Sequence, residues 1–406
     1  MAHIPKLRFK GFTEEWEQRK LVDIVGSVIG GGTPKTSNDE YWYGDIPWIQ
    51  SSNVQENEIF DFEIPKRITQ AGLDKSAAKL VPENSIAVVT HVGVGKLVFV
   101  PFTYTTSQDF TSLAELKTDP YFTCYSLYKR IQEDLHIVQG SAIKGITKDD
   151  LLTKEIVVPE KDEQYKIGKY FRSIDNLITL YQRKCNSLKQ VKKYMLQKMF
   201  PKQGEKVPEI RFAGFTGEWE QQKLGDVTQK VQGNDGRMNL PTLTISAANG
   251  WMNQVDRFSG NIAGKEQKNY TLLRRGELSY NHGNSKLAKY GTVFALQSFN
   301  EALVPRVYHS FKMINGNSDF IEYYFSTKIL DKELAKLISS GARMDGLLNI
   351  SYDDFMGIKV NVPSVEEQNR ISGYLRKIDN LIALHQRKVD SLKEIKKFML
   401  QNMFPK

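Results

Sequence analysis

The side chains of this chain that could do chemistry are suited to reading a surface rather than to breaking bonds. Six histidines (His3, His91, His136, His282, His309, His385) and two cysteines (Cys124, Cys185) show none of the spacings that gather metal ligands. The fragments GGGTPK and HVGVGK lack the full G-x-x-x-x-G-K-[ST] spacing that cradles a phosphate. No Asn-Pro-Pro-aromatic motif of the amino-methyltransferase kind and no glycine-rich adenosylmethionine loop is found. The expectation is a non-enzyme: no catalytic residue, no metal site and no cofactor of its own. What remains are polar groups in glycine-rich turns. In the first half these are Thr33 and Lys35, then Trp48, Gln50, Ser51, Ser52 and Asn53, then Ser76, Lys79, His91, Lys96 and Lys144. In the second half they are Asn234, Arg237, Asn281, Asn284, Lys286, Arg306 and Arg343. Asn and Gln pair bidentately with adenine and Arg with guanine, while Ser, Thr and Lys hold phosphates. As a set they are candidate DNA contacts; each one alone reads more readily as an ordinary turn or surface residue than as a contact.

Two copies of a frame hold these turns. Residues 158–202 match 362–406 at 28 of 45 positions, and residues 5–24 match 208–227 at 13 of 20. The offsets, 204 and 203, agree, so one duplication accounts for both. The inserts between, about residues 20–158 and 223–362, hardly resemble each other. A constant frame with variable inserts suits a frame that assembles and inserts that recognise.

The frame reads as two helices of about 35–40 residues, some 55–60 Å long at 1.5 Å per residue. Apolar residues recur at alternating steps of four and three: Ile167, Phe171, Ile174, Ile178, Tyr181, Cys185 and Leu188, then Ile371, Leu375, Ile378, Ile382, His385, Val389 and Leu392. Lys192 and Lys396 break the two series, and Met195, Met199, Met399 and Met403 resume them. Such a seam is a coiled-coil signal. Pro159 and Pro363 precede the helices, Pro201 and Pro405 follow them, and Ser364 with Glu367 suggests a capping box. The seams favour pairing with each other, antiparallel, over each packing on its own insert. After the first helix the chain continues PEIRFAGF, and the counterpart of that continuation, PKLRFKGF, stands near residue 5. The sequence is a ring opened at one of two equivalent joints, which brings the termini together about a pseudo-twofold axis.

The net charge of +9 and pI near 9.1 suggest a polyanionic partner. The charge sits on the frame: residues 161–202 hold 11 Lys/Arg against 3 Asp/Glu, and 364–406 hold 9 against 5. The inserts are not basic, which keeps open a role for the helices in pairing with an acidic partner. No run of 18 apolar residues and no apolar signal core is present, and two cysteines do not make a disulfide framework. A cytoplasmic location without membrane contact is expected. Both inserts carry short β-like runs, and residues 320–338 (FIEYYFSTKILDKELAKLI) and 121–133 read as helices covering a sheet.

The repeated P-x(4)-Q-x(2)-I at Pro159/Gln164/Ile167 and Pro363/Gln368/Ile371, the following IDNLI, the RF-GF-EWE openings and GGTP…YWYGDIPWIQSSN resemble the specificity (S) subunits of type I restriction–modification systems. The resemblance covers nearly the whole chain. It implies an α+β fold with two mixed α/β target-recognition domains joined by two long antiparallel coiled-coil helices in a pseudo-twofold, circular repeat. The domains would be residues 1–158 and 208–362, each with its shared opening segment, and the conserved helices 159–207 and 363–406. By the resemblance, each domain reads one half of an interrupted site in double-stranded DNA. The helices set the spacing and dock two methyltransferase (M) subunits, with restriction (R) subunits joining for cleavage. S-adenosylmethionine, ATP and magnesium would belong to those partners. The rival reading is a coiled-coil scaffold whose divergent binding domains do not act on DNA.

Overall fold

A computed structural model describes residues 3–56, 58–137, 145–258, 260, 264–283, 285–338 and 347–405. Two long helices form the frame, Lys161–Lys198 and Val365–Met403, of 38 and 39 residues. Proline explains both ends: it fits ahead of a first turn and cannot continue a last one. The motif glutamine ties each helix start to its insert. Gln164 donates to Pro159 O at 2.7 Å and accepts from Asp119 N at 2.9 Å. Gln368 repeats this with Pro363 O and Asn317 N, both at 3.0 Å. Next to each glutamine a fully buried glutamate is held bidentately by the arginine of the RF motif, Arg8 on Glu163 and Arg211 on Glu367. Ser364 Oγ accepts from Glu367 N at 3.3 Å, but the Glu367 carboxylate serves Arg211. A charge-assisted fork is stronger than the reciprocal cap suggested by the sequence.

Packing divides the chain into two compact units, residues 1–184 with 385–406, and residues 185–384. In the first, an antiparallel pair, Glu17–Lys20 with Glu155–Val158, closes the neck of the insert. Beyond it lies an antiparallel sheet in the order Val25–Gly30, Phe110–Leu116, Ser85–Val89, Leu97–Val100. Both faces are covered, as the unbroken apolar run SIAVV requires. Ile86, Val88, Phe99 and Leu113 face a core with the helix Pro120–Ile137, and Ala87, Val89, Val98 and Val100 face a second core. A smaller sheet, Lys66–Ile68, Trp42–Ile49 and Thr105–Thr106, stands beside it. In this unit the start of one long helix runs antiparallel to the end of the other. Phe171 meets Phe404, Asp175 meets Lys396, and Tyr181 meets His385, with Ile174 and Ile178 packed on Val389. Trp16 of the EWE motif, 2% exposed, lies edge-on to both Phe122 and Phe404. Leu7 N donates to Asn402 O at 2.9 Å, so the two ends of the chain are joined by packing.

The second unit repeats the plan. Glu220–Lys223 pairs with Lys359–Val362, and the main sheet runs Thr228–Lys230, His309–Met313, Leu278–Asn281, Thr292–Ala295. The first unit's order recurs although the inserts share almost no sequence. Trp219 lies against Phe200 and Phe320, and Ile210 N donates to Lys198 O at 2.9 Å, as Leu7 does to Asn402. Lys192 meets Asp379, the Cys185 thiol donates to Ile382 O, and Met199 and Phe200 share a core with Ile371 and Leu375. That helix pairing is again antiparallel.

Two expectations are corrected. The seams do not pair only with each other: Ile167 and Phe171, and likewise Ile371 and Leu375, belong to the core of the neighbouring insert. Their apolar stripe continues onto the insert because the first turns lie beneath it. The stretch 320–338 is two short helices, Ser318–Ser326 and Asp331–Lys336. Lys328 between them takes a left-handed φ of 62°, which ends a helix.

Candidate nucleic-acid interface

In the first unit most candidate turns converge on residues 107–109, a segment the sequence reading passed over. Asp109 Oδ2 accepts from Ser51 Oγ at 3.4 Å and from Ser107 Oγ at 3.2 Å. Asp109 O accepts from Thr90 N and Oγ1, and Thr90 Oγ1 lies 3.2 Å from Nδ1 of the exposed His91. Gln108 Oε1 accepts from Thr33 Oγ1 at 2.5 Å. Residues 51–53 form a single 3-10 turn in which Gln50 N donates to Asn53 Oδ1 and Gln50 Nε2 to Ser52 Oγ. Close approach explains the second and third glycines of the GGG run, while a Cβ on Gly30 would meet nothing. A Cβ on Gly31 would lie 1.9 Å from Ser107 O, and one on Gly32 2.3 Å from the Ala77 backbone. That contact brings the turn of Ser76, whose Oγ accepts from Ala78 N, and the exposed Lys79 beside Thr33 and the exposed Lys35. HVGVGK is a hairpin turn with Gly93 and Gly95 at φ of 85° and 93°; Lys96 O at its end accepts from Val89 N.

Trp48 is not a surface reader. It is 3% exposed, its indole donates to Gly32 O at 3.1 Å, and it packs on Ile68 and Ala78. Its neighbour Tyr43 is the better candidate, at 90% exposed with φ of 65° on a bulge between Trp42 and Ile46. A tyrosine at left-handed φ is backbone strain of the kind that clusters at binding sites. In sequence its signal was the aromatic run YWYG, which entered the reading only as part of the resemblance.

The second unit is tied down more tightly. Arg237 forks onto Asp235 and Glu301, with Nη1 2.7 Å from Glu301 Oε2 and Nη2 2.7 Å from Asp235 Oδ2. Those hydrogen bonds hold both carboxylates below their usual range, so the guanidinium is not free to read guanine as the sequence suggested. Asn234 Nδ2 donates to Arg237 O and Gln267 O, leaving its Oδ1 buried without a partner among the described residues. Asn281 is spent locally: Nδ2 donates to Ile245 O and Oδ1 accepts from Gly283 N. Lys286 and Arg306 are exposed on separate turns. Lys144, Asn284 and Arg343 lie outside the described residues. Among the described residues no group of His, Cys, Asp and Glu could hold a metal ion, and no helix is long and apolar enough to cross a membrane.

A family model described as type I restriction modification DNA specificity domain matches residues 13–190 and again 216–394. The chain belongs to this family. Its two matches fall on the two halves of the repeat. The type I restriction enzyme MjaIX specificity subunit of Methanocaldococcus jannaschii is 26% identical over 246 residues, 55% of this chain and 54% of that protein, so the match spans about half its length. The MjaVIII specificity subunit of the same organism is 22% identical over 401 residues, covering 95% and 91%. The crystal structure of a type I restriction-modification S subunit from M. genitalium superposes with a TM-score of 0.66 at 16% identity, covering 99% of each chain. At that identity the likeness concerns the fold alone.

Proposed function

We propose that this specificity subunit reads an interrupted sequence in double-stranded DNA, one half with each insert, and carries no catalytic step itself. The observation that carries the reading is one frame and one sheet order bearing two different sets of loop chemistry. In the first unit the loops around Asp109 hold Thr33, Gln50, Ser52, Asn53 and His91, and Tyr43 protrudes from the strand Trp42–Ile49. In the second, Lys286 and Arg306 are the candidate cations that stand exposed. Methylation and cleavage belong to partners: two methyltransferase subunits that use S-adenosylmethionine, and restriction subunits that use ATP and magnesium.

The docking half of the proposal rests on a second apolar stripe, away from the seam. Leu177, Leu180, Ile395 and Phe398 are 42–56% exposed in the first unit, and their repeat equivalents Leu381, Leu384, Val191 and Tyr194 are 40–48% exposed in the second. Solvated apolar groups kept in both copies suit a partner that binds each copy once. The test is to exchange residues 20–158 for another member's insert, express the chain with its methyltransferase subunit, and map methylated sites by sequencing. One half-site should change and the other persist; changes in both halves defeat the modular reading. Methyl transfer by the purified chain alone would defeat the non-catalytic one.

A further inference from the structure

Five frame positions border a groove in each unit. In the first, Asp175, Ile178, Lys393, Lys396 and Lys397 line a cavity of about 340 Å³. Their repeat equivalents Asp379, Ile382, Lys189, Lys192 and Lys193 line one of about 790 Å³ in the second. These five positions are shared; the insert side of the two grooves differs.

In the first unit the insert contributes an acidic segment. Glu56, Glu58 and Asp61 line the cavity together with Ile59 and Phe60, and two anchors hold them there. Ile59 is 2% exposed and its carbonyl accepts from Phe99 N at 3.0 Å on the sheet edge. Phe60 tilts against Tyr121 and Tyr125 at 5.6 Å, with the Arg172 guanidinium 4.1 Å from its ring centre. Asp61 adds an ion pair to Arg183 at 3.3 Å.

The second unit has no such segment among the described residues. Its sheet edge donates Ala295 N to the Glu322 carboxylate at 2.9 Å. Arg376, the repeat equivalent of Arg172, turns to Asp319 at 2.5 Å and Glu322 at 3.8 Å. The groove beside them stays open, lined by six lysines (Lys189, Lys192, Lys193, Lys198, Lys202, Lys328) against one carboxylate, Asp379. Lys192 is spent on Asp379, Lys198 and Lys202 share Glu209, and Lys328 donates to Leu287 O. Lys189 and Lys193 stand exposed above an apolar floor of Leu196, Ile329 and Ile382.

We propose that this groove of the second unit binds an acidic peptide segment of a partner protein, seated by an adjacent aliphatic–aromatic pair. Residues 55–63 (QENEIFDFE) are the pattern, since Glu56, Glu58, Ile59, Phe60 and Asp61 already lie against the same frame positions in the first unit. Phosphates of DNA would satisfy the lysines but leave the apolar floor bare, and burial of such a floor is what an anchored peptide supplies. The first unit's groove is the smaller and is already lined by the chain's own Glu56, Glu58, Ile59, Phe60 and Asp61. One segment therefore binds per chain, whatever number of partners the repeated outer stripe accepts.

The probe is a fluorescein-labelled QENEIFDFE peptide titrated with the full chain at about 0.1 M salt, where surface charges are only partly screened, read by anisotropy. Saturable one-to-one binding is expected. It should weaken about tenfold for the chain carrying Lys189→Glu and Lys193→Glu, and by a similar factor for a peptide with Ser in place of the Ile and Phe. Unchanged melting of the double variant separates loss of binding from loss of fold. Absence of saturation, equal binding by the double variant, or indifference to the peptide's anchors overturns the proposal. So does displacement of the peptide by unrelated duplex DNA, which would assign the lysines to phosphate.

Discussion

Lys396 Nζ lies 2.7 Å from Asp175 Oδ1, and the Tyr125 hydroxyl donates to the other carboxylate oxygen at 2.5 Å. The repeat holds the same trio, with Lys192 2.6 Å from Asp379 and Tyr323 donating to it at 2.7 Å. The lysine that interrupts each apolar seam is thus the counter-ion of the aspartate in IDNLI. Burial, and then the neighbouring carboxylate, pushes both phenols far above the ordinary tyrosine range. Each trio joins the two long helices to the helix of an insert, which makes the frame–insert junction specific rather than merely apolar.

Removing one member of that junction should be costly. Asp175→Ala strands the Lys396 ammonium, whose side chain is 10% exposed, and is expected to destabilise the first unit by about 3 kcal/mol. Replacing Asp175 and Lys396 together by leucine should recover most of the loss, because no unpaired charge is then buried. Urea denaturation followed by circular dichroism measures both. An Asp175→Ala midpoint equal to that of the parent would show that the pair contributes nothing.

Glu322 makes the stability of the second unit depend on pH. Burial raises its carboxyl from 4.5 to about 7, against the opposing hydrogen bond from Ala295 N and the charge of Arg376. The folded state therefore holds this proton more tightly than the unfolded chain does. Its contribution is intact below about pH 4.5 and is lost as pH climbs to about 7. The loss amounts to roughly 3 kcal/mol at most. The Glu322→Gln variant should lack this slope, so the difference between the two denaturation curves from pH 4.5 to 7.5 isolates it. A difference that stays flat over that interval would place the carboxyl in its ordinary range.

Tyr43 and Trp48 should separate recognition from packing. Tyr43→Ala, at an exposed site, is expected to leave the melting temperature unchanged while weakening DNA binding by the assembled complex about tenfold, the scale of one lost base-edge contact. Trp48→Ala should instead destabilise by about 3–5 kcal/mol through the cavity it leaves. Filter binding alongside thermal melting reads both outcomes. Full affinity in the Tyr43 variant would remove it from the interface.

The long helices should act as a ruler. One heptad inserted into each keeps the seam in phase and adds about 10 Å of length. The site bound by the assembled complex should then carry a spacer longer by roughly three base pairs, at about 3.4 Å per pair. Selection from a library with randomised spacers finds the preferred site. Retention of the original spacing at undiminished affinity would show that something other than the helices sets it.

What the sequence determined by itself is local or repeated. The helix limits follow from Pro159, Pro201, Pro363 and Pro405, since proline acts on the turn it occupies. The seam follows from a period that any stretch of helix displays, and the repeat is visible because both copies of the frame are written out. The burial of SIAVV on both faces follows from its unbroken apolar run. The tertiary structure alone decided which polar residues are free. Ser51 reaches Asp109 across 58 positions and Arg237 reaches Glu301 across 64, and no spacing rule links groups so far apart. Arg237 and Asn281 therefore read as ligands when they are fasteners, and Trp48 as a reader when it is core. Lys192 and Lys396 looked like flaws in a seam until the fold brought an aspartate and a tyrosine to each. Whether a polar side chain meets water, DNA or another loop depends on the neighbours that folding supplies, and those neighbours are remote in the chain.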